Sequence, residues 1–355
     1  MEFIKPGINI DFLGRRKIAF AVSAILLITT IFLLIWRGGP NYGVDFSGGV
    51  LIQVKLDQKR APSELKTALR SVDLQDSIIQ EFGEEGQFEY LIRVRETDIE
   101  LTGLSDKVKQ ALIAGFGQGV EMRRVEMVGP KVGEDLRQKA LFAIFYAILF
   151  IAIYISGRFE LKWLMSIVMA LSLAFVVYIT SSFGVSVTWL IVVAMIVTLG
   201  LCWFLKLKYA LGAIIALIHD VTITVGAFAL TDREISLSII AACLTIIGYS
   251  LNDTIVVFDR IRENLRRFRR RPFEEVMNLS INETLSRTLL TSTTTLVVVL
   301  ALFILGGGVI HDFAFAILVG IVVGTYSSVF VASPVILIWE SRFAKRTRGK
   351  ASRNK

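Results

Sequence analysis

Long apolar blocks separated by short polar stretches make up most of the chain. The first runs from about Lys17 to Trp36, between Arg15-Arg16-Lys17 and Arg37-Gly-Gly-Pro. It is long for a cleaved signal peptide and has no small-x-small cleavage site at its end, so we interpret it as a retained anchor. A membrane-spanning helix needs about 20 apolar residues. Further blocks of this size lie at about 136–155, 163–182, 187–205, 209–230, 235–258, 285–305 and 313–339.

The pattern therefore predicts an α-helical polytopic membrane protein with eight candidate transmembrane helices. Composition agrees, because 54% of the residues are hydrophobic, above the share usual in soluble domains. The formal net charge of +8 does not indicate nucleic-acid binding, since Lys and Arg cluster in loops beside apolar blocks. Cys202 and Cys243 both fall inside apolar blocks, which is typical of small buried side chains rather than a disulfide or a metal site.

The region from about Gly38 to Glu134 has the composition of a soluble domain. Helical spacing predicts helices at 62–70, with Ser63 as a cap, and at 104–116. Alternation of apolar and polar residues predicts strands at 50–56, 77–82, 90–95 and 120–128. The order strand–helix–strand–strand–helix–strand is that of a ferredoxin-like α+β domain. This region contains no nucleophile, histidine or metal-ligand cluster, which favours a binding or force-bearing module.

The distribution of basic residues predicts the orientation. Cytoplasmic loops carry an excess of Lys and Arg. With the N-terminus in the cytoplasm, the inward segments carry many basic residues, whereas the short outward loops near 181–184, 231–234 and 306–311 carry Arg233 and no other Lys or Arg. The inward residues are Arg158, Lys162, Lys206, Lys208, the run 266–271 and the tail 342–355. The domain at 38–134 is then extracytoplasmic. We interpret the arginine run as a positive-inside signal that contacts lipid headgroups, with ribosome or partner binding as the weaker alternative.

One stretch, 248–263, places carboxylates inside and at the end of an apolar block. Asp253 lies within the block beside Asn252, and a charge at membrane depth costs several kcal/mol, from about 2.5 upward. Arg287 lies near the start of the next, antiparallel block, at a similar depth. The two side chains therefore form either a proton or ion relay or a static pair that sets helix register. Hydroxyls at Thr291 and Thr294 follow on the face of Arg287 and could hold a water chain.

A second intramembrane polar site is His219-Asp220, near the middle of its block. Histidine titrates near neutral pH, and a buried carboxylate next to a cation can exist in two protonation states. A relay role and a helix-packing hydrogen bond are both consistent with these residues. Asp259 lies at the membrane edge beside arginines, where a solvated surface pair is the simpler interpretation.

Four stretches of the sequence resemble the SecF family, a branch of the proton-driven resistance-nodulation-division superfamily. Tyr42-Gly-Val-Asp-Phe-Ser-Gly-Gly49 is similar to the family's signature at the base of its first outward domain, with Asp45, Phe46, Gly48 and Gly49 in the motif positions. The other three stretches are similar to the signatures of its third, fourth and fifth spans, and they are 209–220, 247–264 and 282–288. The long fourth-span likeness is the most specific.

The resemblance implies function, partners and location. It implies that Asp253 and Arg287 conduct protons. From the residues themselves we expect Asn252 to be the hydrogen-bonding companion of Asp253, and we take His219, Asp220, Asp259, Thr291 and Thr294 as candidate auxiliary relay residues. It implies a subunit of a SecD–SecF complex in the bacterial inner membrane that assists protein export. The implied partners are SecD, the SecYEG channel and the translocating unfolded polypeptide, with YajC and YidC as further candidates. We expect no enzymatic activity, no metal and no cofactor other than the ion gradient, which is H⁺, with Na⁺ as the alternative.

The chain departs from the family in one place. The family usually has six spans, and its pattern would lead from about Lys162 almost directly to Tyr209. Here an apolar insert intervenes, and it has no charged residue between Trp163 and Leu205. An insert with two crossings preserves the topology on both sides, and we expect peripheral, lipid-facing helices.

These patterns together predict seven parts. They are a cytoplasmic N-terminus (1–16), a first transmembrane helix (17–36), a periplasmic ferredoxin-like domain (37–135), a second transmembrane helix (136–157), an inserted hydrophobic hairpin (158–208), a four-helix transmembrane bundle with a basic cytoplasmic loop at 259–284 (209–339), and a basic cytoplasmic tail (340–355). Two other functions stay open at this point. One is a small-molecule or lipid exporter of the same superfamily, and the other is an assembly subunit whose buried charges only specify packing.

Overall fold

The computed structural model of the protein describes residues 8–74, 77–82, 86–94, 103–160, 163–182 and 186–342. The first seven residues of the predicted N-terminal segment lie outside these ranges, as does the predicted basic tail from residue 343 onward. The chain opens with the membrane helix α1 (Arg16–Trp36) and a single helical turn, α2 (Val44–Ser47), that leads into a small folded domain.

This domain has the predicted ferredoxin-like order of elements. They are β1 (Gly49–Leu56), α3 (Pro62–Ala68), β2 (Ile78–Phe82), β3 (Glu89–Val94), α4 (Leu104–Phe116) and β4 (Val120–Val128). The strands pair antiparallel in the order β2-β3-β1-β4. Val50, Ile52 and Val54 point to one face and form a core with Leu65 of α3 and Leu112 of α4. The period-two pattern of β1 therefore places its apolar face under both helices.

The rest of the described chain is helical. Its elements are α5 (Pro130–Glu160), α6 (Trp163–Ser182), α7 (Val187–Phe204), α8 (Lys208–Leu230), α9 (Leu237–Arg267), α10 (Phe273–Leu305) and α11 (Gly307–Ser327). After α11 a π-helical turn at Ser328–Ala332 leads into the end of the last span, Ile310–Arg342. Within the described ranges, six helices are long and apolar enough to cross a membrane: α1, α5, α8, α9, α10 and this last one.

The two additional predicted spans are the shorter apolar helices α6 and α7. They pack against each other and against α5. The Trp163 ring lies over Gly157 of α5, so that a β-carbon at Gly157 would come within 2.6 Å of the ring. Met169 and Leu173 of α6 are buried in this contact, whereas Phe175 is 64% exposed on the other face. The insert is therefore a helical hairpin at the edge of the bundle.

The structure corrects the predicted basic loop at 259–284. Only residues 268–272 separate α9 from α10, so most of that stretch is helical. Apolar blocks mark the part of a helix that lies in the bilayer, not the whole helix, and both helices continue beyond it with polar faces. Asn264 of α9 donates hydrogen bonds to Ser280 (3.1 Å) and Glu283 (2.7 Å) of α10, which joins the two extensions.

An N-terminal strap, residues 8–15, crosses the extension of α10. The Asn278 amide oxygen accepts a hydrogen bond from the Phe12 backbone (2.9 Å), and the Asn282 oxygen accepts one from the Ile10 backbone (2.8 Å). Both Asn amide groups also donate to the Ile10 carbonyl oxygen, each at 2.9 Å. Leu13 is fully buried in the main apolar cluster, and so the strap is part of the packed structure.

A close helix contact in the bundle involves two glycines of α11. A β-carbon at Gly320 would lie 2.3 Å from Ile246 of α9, and one at Gly324 would lie 2.9 Å from Cβ of Ser250. Glycines four residues apart let membrane helices approach closely, because no side chain separates the backbones. α11 is therefore pressed onto α9 along one line of contact.

We expect Gly324→Ala to destabilise the bundle. The added methyl group meets the base of the Ser250 side chain, so α9 and α11 must separate, at a cost of about 1–3 kcal/mol. The matched control is Gly248→Ala in α9, where no atom lies within 4 Å of the added carbon. Thermal unfolding in detergent should show a lower midpoint for Gly324→Ala only. Equal midpoints for the two variants would contradict the close-packing account.

The joint between the domain and the membrane helices depends on Gly48. Its φ is +73°, and a β-carbon there would lie 2.9 Å from Cα of Pro130 at the start of α5. At the same joint Tyr42 packs under the Arg137 guanidinium, 5.6 Å from the ring centre. Burial raises the pKa of the Tyr42 phenol, an effect that the Arg137 charge partly offsets. The joint is therefore a tightly fitted contact at Gly48 and Pro130.

Gly48→Ala should loosen this joint. A side chain at positive φ costs about 1–3 kcal/mol, and the collision with Pro130 adds to this cost. The neighbouring Gly129→Ala is the control, since its added carbon meets no atom within 4 Å. Limited proteolysis between residues 40 and 50 should be faster in Gly48→Ala than in the parent protein, and unchanged in Gly129→Ala.

Candidate functional site

Asp253 is 3% exposed on α9, in the interior of the helix bundle. One hydrogen bond reaches its carboxylate, from the Ser292 hydroxyl of α10 at 3.4 Å. Ser292 in turn lies 2.7 Å from the Thr325 hydroxyl of α11. Among the described residues, no Lys, Arg or His nitrogen lies within salt-bridge distance of Asp253. A buried carboxylate with one long hydrogen bond is poorly compensated when it is charged.

A ladder of small hydroxyl residues on α10 faces the same interior. Ser280, Thr284, Thr288 and Ser292 follow one another at four-residue spacing and are all buried. Residues four apart lie on one side of a helix, so the ladder runs along α10 to Asp253. The Thr288 hydroxyl has no hydrogen-bond partner among the described residues. The four-residue spacing of hydroxyls is visible in the sequence and could have identified this ladder.

Arg287 and Asn252 lie in a polar vestibule rather than at Asp253 itself. The vestibule is a cavity of about 560 Å³ at the end of the bundle away from the ferredoxin-like domain. Both side chains line it, together with Thr284 of the hydroxyl ladder. The predicted Asp253–Arg287 contact is thus not direct, and Asn252 points to a different side of α9 from Asp253. The vestibule instead places the Arg287 cation beside Thr284 of the ladder.

The remaining predicted residues of this region have local partners. Asp259 forms a half-exposed ion pair with Arg158 of α5 at 2.7 Å. The Thr291 hydroxyl donates to backbone carbonyls at Arg287 and Thr288, and the Thr294 hydroxyl likewise bonds to its own helix. Sequence spacing correctly placed these threonines on α10. It could not show that Ser292, rather than its neighbours, points to Asp253.

His219 and Asp220 form a second polar cluster, which is fully enclosed. His219 Nδ1 lies 2.9 Å from Asp220 Oδ1. Asp220 Oδ2 accepts hydrogen bonds from Ser250 of α9 (2.6 Å) and Ser327 of α11 (2.8 Å). On the other side of the ring, Nε2 lies 3.1 Å from the Ser23 hydroxyl of α1. The cluster therefore connects four helices.

The two clusters are adjacent along α9. Ser250, which binds Asp220, and Asp253 are three residues apart and so lie on neighbouring turns of one face, with roughly 5–6 Å between their Cβ atoms. On α11 the partners Thr325 and Ser327 are two residues apart. Hydroxyl groups can both donate and accept hydrogen bonds. The interior therefore contains two carboxylates and a histidine with hydroxyl groups between them.

The predicted motif residues lie at the joint on the outer side, the side of the ferredoxin-like domain. Asp45 accepts a hydrogen bond from the Leu237 backbone at 2.8 Å, at the first residue of α9. Phe46 is buried among apolar residues of α5, α8 and α9. Gly48 and Gly49 have φ of +73° and +120°, which turns the chain into β1. The motif therefore attaches the domain directly to the beginning of the helix that carries Asp253.

The loop between α8 and α9 adds charged contacts to this joint. Glu234 forms an ion pair with Arg93 of β3, and both side chains are largely buried. Asp232 pairs with Arg37 at the end of α1, and Arg233 pairs with Asp312 of α11. The Ile235 backbone pairs with that of Asn41 and Gly43. This loop, residues 231–236, therefore connects the outer ends of the membrane helices to the domain.

The arrangement contains no group of three His, Cys, Asp or Glu side chains that could hold a metal ion, within the described ranges. What it provides is titratable groups at membrane depth and hydroxyls that can pass protons between them. One carboxylate is poorly compensated, and the vestibule approaches it from the end of the bundle opposite the ferredoxin-like domain.

Comparison with known proteins identifies the family of this chain. A sequence model described as "Protein export membrane protein SecD/SecF, C-terminal" matches residues 108–202 and 185–342. A second, described as "SecD/SecF GG Motif", matches residues 34–59, which include the predicted motif. The chain is 40% identical to the protein translocase subunit SecF of Magnetococcus marinus, over 96% of this chain and 95% of the relative. It is 39% identical to SecF of Vibrio alginolyticus, over 95% of this chain and 91% of the relative.

Solved structures show the same relationship. The crystal structure of SecDF, a translocon-associated membrane protein from Thermus thermophilus, matches 94% of this chain at 30% identity, with a TM-score of 0.68. A structure of SecDF in a super-membrane-facing form matches 99% of this chain, with a TM-score of 0.58. This chain spans only 39% and 41% of those two SecDF chains. With the motif, the six long spans and the near full-length likeness to its relatives, the chain belongs to the SecF family of protein translocase subunits.

Proposed function

We propose that this chain is the SecF subunit of a SecD–SecF complex that uses the proton motive force to assist late steps of protein translocation through the SecYEG channel. The observation that carries the proposal is the environment of Asp253. A buried carboxylate with one 3.4 Å hydrogen bond is costly as a static structural element. It is well suited to bind and release a proton, because neither the charged nor the neutral form of the carboxyl group makes strong contacts that would hold it in that form.

The polar vestibule and the hydroxyl ladder support a route to Asp253 from the inner side. Water in the vestibule reaches Asn252, Thr284 and Arg287. Thr288 and Ser292 continue from Thr284 along α10. In this proposal Arg287 supplies a positive charge at the inner end of the route, and it favours the charged form of Asp253 after the proton has left.

Proton movement can drive a conformational change of the outward domain. One charge that crosses a potential of 100 mV releases about 2.3 kcal/mol, enough to bias an equilibrium between two states that differ by a few kcal/mol. α9 is one continuous helix from Leu237 to Arg267. Its outer end is bound to Asp45, and the preceding loop is bound to Arg93 through Glu234. A shift of α9 at Asp253 is thereby passed to the domain that would hold the translocating unfolded polypeptide.

The partners follow from the family. The solved relatives are SecDF chains more than twice as long as this one, so we propose that SecD supplies the missing half as a separate chain. SecYEG is the proposed channel, and YajC and YidC are further candidates. The chain is a multi-pass membrane protein, and we propose the bacterial inner membrane with both termini in the cytoplasm. The role is transport without enzymatic catalysis or a bound cofactor.

The alternatives have less support. The relatives named above are all protein translocase subunits or SecDF, and no observation favours a small-molecule or lipid exporter. A purely structural role for Asp253 would predict well-formed partners for its carboxylate, which the described residues do not supply. H⁺ is the proposed ion. Replacement of the proton gradient by a sodium gradient in vesicles would show which ion the complex uses.

Asp253→Asn should abolish the stimulation of translocation by a proton gradient. The amide keeps the shape of the side chain but cannot exchange a proton. The measurement is translocation of a preprotein into membrane vesicles that contain the variant, SecD and SecYEG, with and without the gradient. Asp135→Asn is the control, because Asp135 is a half-exposed carboxylate paired with Lys139 on α5. Full gradient-dependent stimulation in Asp253→Asn vesicles would refute the proposal.

Glu234→Gln should separate proton movement from translocation. It removes a charged partner of the largely buried Arg93, and loss of one member of a buried pair costs about 3–5 kcal/mol. We expect vesicles to retain proton flux while gradient-dependent translocation falls several-fold. The control Glu64→Gln changes an exposed pair with Arg60. If flux and translocation decline together, the loop does not act as the coupling element.

A further inference from the structure

His219 and Asp220 lie in a closed polar cluster whose hydrogen bonds have a determined direction. The ring and the carboxylate are 4% and 0% exposed. Hydroxyls of Ser23, Ser250 and Ser327 contact the pair, and Tyr326 contacts Ser23 at 3.1 Å. The direction of each bond can be worked out from one end of the cluster, because a carbonyl oxygen can only accept.

That end is the Ala19 carbonyl oxygen of α1. The Tyr326 hydroxyl lies 2.7 Å from it and must donate its only proton to it. Tyr326 can then only accept from Ser23, which uses the single hydroxyl proton of Ser23. Ser23 must therefore accept from His219 at 3.1 Å, so Nε2 carries a proton. No other placement of the protons keeps every hydrogen bond between Ala19 and the His219 ring.

The contact on the other side of the ring needs a second proton. Nδ1 lies 2.9 Å from Asp220 Oδ1, and two bare lone pairs would repel each other at that distance. The proton between them belongs either to Nδ1, which gives an imidazolium and a carboxylate, or to Oδ1, which gives two neutral groups. Both placements contain the same number of protons, and in both the pair has no net charge.

Loss of one proton would change the cluster in a defined way. The remaining ring proton would stay on Nδ1, where it faces the Asp220 carboxylate. Nε2 would then accept from Ser23, Ser23 would accept from Tyr326, and Tyr326 would no longer donate to Ala19. Of the two hydrogen bonds that Tyr326 makes to α1, the bond to Ala19 would be lost and the bond with Ser23 would reverse its direction. The pair would also carry a net negative charge inside the membrane, which is costly there.

We propose that His219 and Asp220 form a second proton-binding site, which is loaded with one proton in this conformation and whose loading maintains the Tyr326–Ala19 hydrogen bond between α11 and α1. This rests on the proposed function and deepens it, because Ser250, which donates to Asp220, lies one helical turn from Asp253 on α9. The groups that face the pair are Ser23 from α1, Ser250 from α9, and Tyr326 and Ser327 from α11. α5 packs on α8 with apolar side chains such as Ile148 and Ala152. The nearest carboxylate to Ser250 along α9 is Asp253, and the phenol of the adjacent Tyr249 contacts Thr295 of α10.

Nitrogen NMR of histidine tests the proton count directly. The chain contains two histidines, so a His311→Gln background leaves the signal of His219 alone. The sample is the ¹⁵N-histidine-labelled protein with SecD in lipid nanodiscs at neutral pH. A signal from an imidazolium, or from a neutral ring protonated at Nε2, supports the proposal. A neutral ring protonated only at Nδ1 overturns it.

Ser23→Ala tests the chain of hydroxyls. It removes the acceptor of the Nε2 proton, and we expect the loss of that proton and a signal from a ring protonated at Nδ1 alone. Thr30→Val is the matched control, since Thr30 is a second buried hydroxyl on α1 that lies against Gly226. An unchanged Nε2 proton in Ser23→Ala, or the same change in both variants, would contradict the proposal.

The result is independent of the role of Asp253. The NMR signal reports the protons on His219 whether or not the complex moves protons, whereas translocation by Asp253→Asn vesicles reports the proposed function. If Asp253→Asn abolishes gradient-dependent translocation while His219 is protonated only at Nδ1, the second site is wrong and the function stands. If Asp253→Asn leaves gradient-dependent translocation intact while His219 carries a proton on Nε2, the second proton-binding site stands and the proton-driven function is wrong.

Discussion

The bundle depends on the close approach of α9 and α11 at Gly320 and Gly324. Only with hydrogen at these two positions can Ile246 and Ser250 lie directly against the α11 backbone. That approach brings the Ser250 and Ser327 hydroxyls to the same oxygen of Asp220. Inside a membrane a polar group without a partner in the protein costs several kcal/mol. The apolar packing of two helices therefore determines whether the polar interior can exist.

The interior contains two aspartates with opposite environments. Asp220 is fully buried and accepts two short hydroxyl hydrogen bonds beside its histidine. Asp253 has one long bond and lies next to a hydroxyl ladder that leads to a vestibule. The first environment satisfies the carboxylate with hydrogen bonds, and the second leaves a carboxylate poorly compensated. The same residue type thus has two environments because its neighbours differ, and α9 contacts Asp220 through Ser250, one helical turn from Asp253.

The sequence predicted elements and regions more reliably than contacts. The ferredoxin-like order was predicted because the strands alternate with period two over one buried face, as Val50, Ile52 and Val54 do. The full extent of α9 and α10 was not predicted. The apolar part of each helix ends at the membrane boundary, whereas the helix itself continues beyond it. The predicted site residues lie in the same part of the bundle, but a helix turns by about 100° per residue. Neighbours such as Asn252 and Asp253 therefore point to different places.

The contact partners of the site could not be predicted from the sequence either. The network around His219 needed Ser23, Ser327 and Tyr326, which come from the two ends of the chain. Single serines in apolar helices are common, and nothing in their local pattern says which polar group they face. The loop pair of Glu234 with Arg93 is of the same kind, because the partners are distant in sequence and meet only once the domain sits on the bundle.

The strap at the N-terminus has a consequence for how the protein is made. Its backbone is held by Asn278 and Asn282, and these contacts join residues 266 to 272 positions apart in the sequence. At a synthesis rate of about 5–20 residues per second, the strap waits roughly 13–55 seconds for its binding partners to emerge. During that time Leu13, fully buried in the finished protein, has no site to enter. Closure of the strap is thus a late event in biogenesis, because residues 8–15 can be held only after α10 has been made.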